Sequence, residues 1–422
     1  MTAHRLTKLT LAIGLSIVTT SALASPQTFM SSRSFAMGGT DVAIAHPAAA
    51  GASNPAMMAA KHHDWSDDFG LVFPSVNARF ADEEETVDQI DNIQDTIDRF
   101  QELDKTSNPE GARQAAGELR QQLNDFDRDT VRIDAGLGIA LTVPSDSISF
   151  GFFSNGNLRA TVRGEFDKDD EQFLADLETA TIDELIAADL DRDLESRGRI
   201  LASAVAEVGI SIATSIDLQN DSQLQLGVSP KYVQLRTFQY TETVSGFEDD
   251  EFDGDEYQTD KSGFNLDIGA AYAFGSSNQW NAGVVVKNLI PVKLDSAVSA
   301  NPLKNEQEHT LELNPMVTAG IAHKGDFHIL TAELDLTKKK AFGYGDDTQW
   351  MALGAELDAF RYAQLRFGVR QNLASNDDND GIEEDTQFTA GIGLSLFGAR
   401  LDIGALVSDA EVGAAFELGA AF

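Results

Sequence analysis

Glu411-Val412-Gly413-Ala414-Ala415-Phe416-Glu417-Leu418-Gly419-Ala420-Ala421-Phe422 interleaves two kinds of side chain. Val412, Ala414, Phe416, Leu418, Ala420 and Phe422 share one face, and Glu411, Gly413, Ala415, Glu417, Gly419 and Ala421 share the other. A period of two marks a β-strand with one apolar face and one polar or small face. The same alternation recurs upstream. Val131, Ile133, Ala135, Leu137, Ile139, Leu141 and Val143 oppose Arg132, Asp134, Gly136, Gly138, Ala140 and Thr142. Phe264, Leu266, Ile268, Ala270, Tyr272 and Phe274 oppose Asn265, Asp267, Gly269 and Ala271. Leu365, Phe367 and Val369 oppose Arg366, Gly368 and Arg370, and Leu401, Ile403, Ala405 and Val407 oppose Arg400, Asp402 and Gly404. In a water-soluble sandwich the apolar face would be the core and strands would average about 5–6 residues. These runs are roughly 9–13 residues, long enough for a tilted strand to cross a bilayer.

The expected fold is therefore an all-β transmembrane protein, an antiparallel outer-membrane β-barrel of about fourteen strands. The strands are expected at 67–81, 129–143, 147–165, 200–217, 222–246, 258–274, 279–290, 308–323, 326–337, 348–358, 362–372, 385–396, 400–407 and 411–422. The connections sort into two kinds. Pro144-Ser145-Asp146, Gln219-Asn220-Asp221, Ser276-Ser277-Asn278, Lys324-Gly325-Asp326, Ala359-Phe360-Arg361 and Phe397-Gly398 are short. The alternate connections 82–128, 166–199, 247–257, 291–307, 338–347 and 373–384 are long, and only Ser408-Asp409-Ala410 breaks the rule. Short periplasmic turns and long outer loops are the asymmetry of bacterial barrels.

Two long connections read as helical insertions, about 82–128 and 166–199. Val87, Ile90, Ile93, Ile97, Phe100 and Leu103 recur at helical spacing, followed by Ala115, Leu119 and Leu123. Asn108-Pro109 breaks the run, and Pro109 can open the second helix at its first position. Phe173, Leu174, Leu177, Ile182, Leu185, Ile186 and Leu190 suggest a further helical pair. Such stripes must pack on each other or cap the barrel, and a lid with no ligand role is the plain alternative.

Composition narrows the function. The 422 residues carry a formal net charge of −37 and no cysteine. So acidic a chain offers nucleic-acid phosphates little to bind, so no nucleic-acid partner is expected. Thiol chemistry, disulfides and Cys-ligated metals are excluded. The start of the chain has His4, Arg5 and Lys8, an apolar run from Leu9 to Thr20, then Ala22-Leu23-Ala24. This is the pattern of an export signal at residues 1–24, cleaved before Ser25, and too short for a spanning helix.

Residues 25–66, by contrast, are rich in Ala, Gly, Ser and Met and almost uncharged up to residue 60. Ser32-Arg33-Ser34-Phe35-Ala36-Met37-Gly38-Gly39-Thr40, then Ala48-Ala49-Ala50 and Asn54-Pro55-Ala56, resemble the N-terminal plug of FadL-type outer-membrane channels, a superfamily that also contains PorV-like secretion proteins. Lys287-Asn288-Leu289-Ile290-Pro291, Gln364-Leu365-Arg366-Phe367-Gly368 and 389–398 resemble the group labelled conjugal transfer protein TraF. The resemblance implies a plug with Gly38, Gly39, Asn54, Pro55 and Ala56 at its gate, on a barrel occupying 67–422. It also implies passage of small hydrophobic molecules, or alternatively a non-transport scaffold for an envelope, secretion or conjugation complex. The aromatic Phe422 closing an alternating strand resembles the signal read by bacterial barrel-assembly machinery. The partners expected are thus outer-membrane lipid, that machinery, and a small hydrophobic ligand or envelope proteins.

Three further motifs invite chemistry. Asn376, Asp378 and Asp380 alternate before Gly381 like the start of a calcium loop, but Gln387 stands where the bidentate Glu belongs, and a solvated outer loop is the commoner use. Residues 247–256 are dense in carboxylates, which suits a soluble hairpin tip or divalent cations. His62-His63-Asp64 sits before the first strand, where a polar junction is expected. His309, His323 and His328 look isolated, and no nucleophile elbow or zincin motif occurs, so no enzyme activity and no cofactor is expected.

Overall fold

The computed structural model describes residues 30–60, 70–82, 84–143, 145, 147–218, 221–245, 254–359, 362–374, 382–383 and 385–421. Its strands are β1 (Gly70–Asp82), β2 (Thr130–Val143), β3 (Ser149–Glu165), β4 (Arg197–Asp217), β5 (Gln223–Thr243), β6 (Gln258–Phe274), β7 (Trp280–Lys287), β8 (Val292–Asp295), β9 (Thr310–Leu313), β10 (Met316–Lys324), β11 (His328–Asp335), β12 (Trp350–Ala359), β13 (Ala363–Asn372), β14 (Thr386–Leu396), β15 (Ala399–Val407) and β16 (Glu411–Ala421). All but β8 and β9 form one closed antiparallel barrel of fourteen strands. It closes where β1 pairs with β16, Gly70 opposite Ala421 and Ala81 opposite Glu411. Closure leaves no free strand edge, as a backbone surrounded by lipid requires.

Side-chain polarity is inverted relative to a soluble protein. Phe264 is 77% exposed and Phe388 57%, whereas Arg132 and Arg366 are each 1% exposed. Leu365, Phe367, Leu353, Leu357, Ile392, Ile403 and Phe416 continue the outward apolar belt. An apolar surface of that extent belongs against lipid, with the charges turned into the lumen. Among the described residues no helix is long and apolar enough to cross a membrane. The strands do the crossing.

The expected strand positions hold to within a few residues, with one correction. The run 308–323 is not one barrel strand. Residues 310–313 form β9, which pairs with β8 outside the barrel ladder, and the barrel strand begins at Met316. Pro315 explains the break, because it has no N–H to give the ladder. The connection read as loop 291–307 therefore carries β8. The β8–β9 hairpin folds against the wall and covers inward-facing Leu201, Val205, Val233 and Leu235 with Leu294, Leu311 and Leu313, joined by Phe342.

The wall is uneven. β3 to β6 run 17–21 residues, whereas β7 and β10 to β16 run 8–11. The tall side carries the helices. Thr86–Glu102 and Pro109–Phe126 form the first pair, with Pro109 in the first turn and the Asn108 side chain capping Gly111 N at 3.0 Å. Lys168–Leu177, Ile182–Ala187 and Leu190–Asp193 follow β3. Ile93, Ile97, Phe100, Leu119 and Leu123 meet Leu174, Leu177, Leu185 and Leu190 in one apolar core. Ile182 and Ile186 do not join it and stay exposed, because the short helix Ile182–Ala187 turns only Leu185 inward.

Candidate gate in the barrel lumen

Residues 30–60 lie inside the barrel, and all but Gly39, His46 and Ala60 are buried. Their local structure follows from capping. Ser31 Oγ accepts Ser34 N (3.2 Å) to start the helix Ser32–Phe35. Pro47 opens Pro47–Ala50, and Asn54 Oδ1 accepts Ala56 N (3.2 Å) to start the 3-10 helix Pro55–Ala59. Side-chain acceptors at such positions satisfy N–H groups that a short helix leaves unpaired. Gly38 and Gly39 have φ of +73° and +83°, the left-handed turn that favours glycine. Gly38 is pressed against β12 and β13, 3.2 Å from Leu353 O and Val369 O to its would-be Cβ.

Small residues in the wall make room for this segment. A Cβ added at Gly368 would lie 2.1 Å from Gly38 N, and at Gly227 2.4 Å from Ala56 N. At Gly283 it would lie 2.5 Å from Val42 O, at Gly354 2.7 Å from Met37 O, and at Gly269 1.9 Å from Asn54 Oδ1. These inward-facing glycines sit on β5, β6, β7, β12 and β13. They form a groove that fits a backbone and nothing bulkier.

Polar wall side chains hold the segment in that groove. Arg33 grips Glu356 of β12 with two nitrogens, at 2.8 and 3.1 Å, and also donates to Ile44 O. Glu356 also accepts Arg366 Nε (2.6 Å), and Arg366 and Arg400 both bind Asp402. The result is a buried chain of alternating charge across β12, β13 and β15. Elsewhere Thr389 Oγ1 accepts Gly38 N (2.8 Å), and Glu333 Oε1 accepts both Asp41 N and Val42 N. Asn281 Nδ2 donates to Ala43 O (2.7 Å), Lys287 to Ala52 O, and Asn54 Nδ2 to Val42 O (2.7 Å). Glu417 accepts Ser32 N (3.0 Å). Buried backbone polar groups must be paired somewhere, and here wall side chains pair most of them, with Arg33 and Asn54 of the segment itself pairing Ile44 O and Val42 O.

A second charged cluster lies beside it. Asp134 contacts Arg79 (3.2 Å), Arg132 (3.1 Å) and Arg159 (2.7 Å), and Arg79 also reaches Glu411 (3.4 Å). On the long-loop side of the plug a cavity of ≈ 110 Å³ is lined by Asp41, Lys287, Glu333, Asp335, Lys339 and Arg370 among others.

The structure thus places all five expected gate residues in the lumen but in two groups, Gly38 and Gly39 beside β12 and β13, and Asn54, Pro55 and Ala56 beside β5 and β6. Arg33, Glu333, Glu356 and the wall glycines were not singled out from sequence as its anchors. A signal existed: Arg33 is a lone guanidinium in a stretch with almost no other charge, and a buried arginine needs a carboxylate. His323 and His328 are not isolated, because β10 and β11 place them side by side, with Nδ1 and Nε2 3.3 Å apart. Among the described residues no group of three His, Cys, Asp or Glu could hold a metal ion. The export signal at 1–24, His62 and His63, Asn376, Asp378 and Asp380, and Phe422 lie outside the described residues, as does most of 247–256.

The sequence pattern of the family described as "F plasmid transfer operon, TraF, protein" matches residues 51–335, more than half of the chain. The chain belongs to this family. No curated protein matches this TraF-family sequence. Among solved structures it is similar to the CymD monoaromatic hydrocarbon channel, with a TM-score of 0.53 and 11% identity over 94% of this chain and 99% of that one. It is also similar to the TodX deltaS2S3 mutant monoaromatic hydrocarbon channel, with a TM-score of 0.51 and 12% identity over 93% and 99%. For the P. putida toluene transporter TodX the TM-score is 0.50, with 10% identity over 94% and 99%. At these identities the likeness is one of fold.

Proposed function

We propose that this TraF-family protein is an outer-membrane channel for small hydrophobic molecules, gated by residues 30–60, and not an enzyme. The observation that carries the reading is the plug itself. An almost uncharged segment of small residues fills the lumen of a lipid-facing barrel, held by side-chain hydrogen bonds and one bidentate ion pair. The polar contacts can exchange for water, and the apolar packing against the wall is confined to a few side chains, chiefly Phe35, Met37, Met57 and Met58. The fold shared with channels named for toluene and monoaromatic hydrocarbons supports the same reading. Outer-membrane lipid and the barrel-assembly machinery are the partners it requires.

A second reading is a scaffold for an envelope or conjugation complex. It is favoured by the charged cavity above the plug, which suits no apolar molecule, and by the transfer-operon description of the family. Accumulation of radiolabelled toluene by Gram-negative cells producing the protein separates the two. The channel reading expects uptake several-fold faster than in cells without it. Equal uptake, with envelope proteins co-purifying stoichiometrically, would favour the scaffold.

A further inference from the structure

At the long-loop end of the barrel, away from the plug, residues 305–309 of the connection between β8 and β9 run beside β4 and β5 and leave a chamber of ≈ 270 Å³. Glu165 of β3, Arg199 and Leu201 of β4, and Gln239 and Thr241 of β5 form its outer wall. Asn305, Gln307, His309 and Tyr344 close it from the lumen. For comparison, an engineered cavity of about 150 Å³ accepts a benzene ring, so this chamber has room for a six-membered ring and its substituents.

The lining decides what kind of ring. Part of it is already committed to structure. Gln239 Oε1 accepts Ser296 Oγ (2.8 Å) and its Nε2 donates to Gln307 O (3.0 Å), while Arg199 binds Glu165, Thr241 Oγ1 and Lys304 O. The remainder is uncommitted. The amides of Asn305 and Gln307 and the imidazole of His309 make no side-chain hydrogen bond among the described residues, yet all three line the space at alternate positions of one loop. His309 stands edge-on to Tyr344, ring centroids 5.9 Å apart at 68°, and Tyr344 is backed by the Arg163 guanidinium at 4.5 Å. Burial, helped by Arg199, lowers the His309 pKa and keeps the ring neutral near pH 7.

An apolar ligand would cover these polar side chains, the exposed amides of Asn305 and Gln307 and the half-buried imidazole of His309, without replacing the hydrogen bonds they make to water. An anion would meet Glu165, with Arg199 already paired, and a cation would meet Arg199. A neutral ring edged with hydroxyls meets none of these objections. Each hydroxyl both donates and accepts, as do the amides and a neutral imidazole. The C–H faces of such a ring suit the aromatic surface of Tyr344. We propose that the chamber binds one sugar ring of a neutral, polyhydroxylated ligand at the outer mouth of the barrel. This site is separate from the plug and does not depend on whether the plug opens.

Free sugars and the sugars of lipopolysaccharide share this chemistry. The test uses the full chain purified in lauryldimethylamine oxide, a detergent with no sugar headgroup. Methyl glucoside, methyl galactoside and methyl mannoside are titrated by saturation-transfer NMR and calorimetry. At least one is expected to bind saturably, and Gln307→Ala and Tyr344→Ala are each expected to weaken it about tenfold. Gly263→Val, whose added side chain meets nothing within 4 Å, should leave it unchanged. Gln307 lies on an exposed loop, so its variant stays informative if Tyr344→Ala fails to fold. Competition by purified lipopolysaccharide would make the membrane glycolipid the ligand, and lack of competition a free sugar. Absence of saturable binding for all three glycosides, or equal affinity in wild type and Gln307→Ala, would overturn the proposal.

Discussion

Arg33→Ala is expected to turn a closed barrel into a leaky one. Arg33 is the plug's bidentate contact with the wall, and both it and Glu356 are nearly fully buried. Removing one member of a buried ion pair costs about 3–5 kcal/mol, because the other charge is left without compensation. Glu356 keeps Arg366 at 2.6 Å, which puts the loss at the lower end. Each 1.4 kcal/mol is a factor of about ten, so the undocked plug should gain roughly hundredfold in population. In planar bilayers the variant should show frequent large openings where the wild type shows few. Arg33→Lys should recover only part of the closure, since an ammonium lacks the fork that matches a carboxylate. Wild-type conductance in Arg33→Ala would remove the ion pair from any account of the seal.

Gly368→Val is expected to act more drastically and from the opposite side. A Cβ there falls 2.1 Å from Gly38 N and 2.3 Å from the Met37 carbonyl carbon, both backbone atoms of the plug. Neither can yield by changing rotamer, so the segment must leave its groove. Gly227→Val does the same at the other end of the plug, 2.4 Å from Ala56 N and from the Pro55 carbonyl carbon. Gly263→Val is the matched control, because nothing lies within 4 Å of its Cβ. The two groove variants should assemble as heat-modifiable barrels, conduct continuously and expose residues 30–60 to added protease. The control should behave as wild type. Protease resistance in Gly368→Val would place the plug elsewhere.

The barrel was legible in sequence because its physics is local. A period of two, runs long enough to span lipid and alternating short and long connections each need only neighbours in the chain. Asn108-Pro109 likewise announced a helix start that the structure contains. The β8–β9 hairpin was missed because residues 308–323 alternate on both sides of Pro315, so periodicity ran through the break. The anchors of the plug were illegible for a different reason. Arg33 and Glu356 are 323 positions apart, and Glu333 and Asp41 are 292 apart. Only closure of the barrel brings them together. The inward glycines could be read as the small face of each strand. Which of them touch the plug depends on the register of all fourteen strands.

The proposed channel requires a plug that sits in the wall groove and moves to let substrate through. Ala36→Cys with Gly404→Cys tests both parts, since Ala36 Cβ lies 3.4 Å from a Cβ built at Gly404 and the native chain has no thiol to compete. That spacing is close to the roughly 3.5–4.5 Å of a disulfide. The measurement is toluene uptake by cells carrying the double variant, before and after reduction. The bond should form, uptake should stop while it is intact, and a reductant should restore it. Equal uptake in the oxidised and reduced states, with the bond confirmed on a non-reducing gel, would contradict a moving gate.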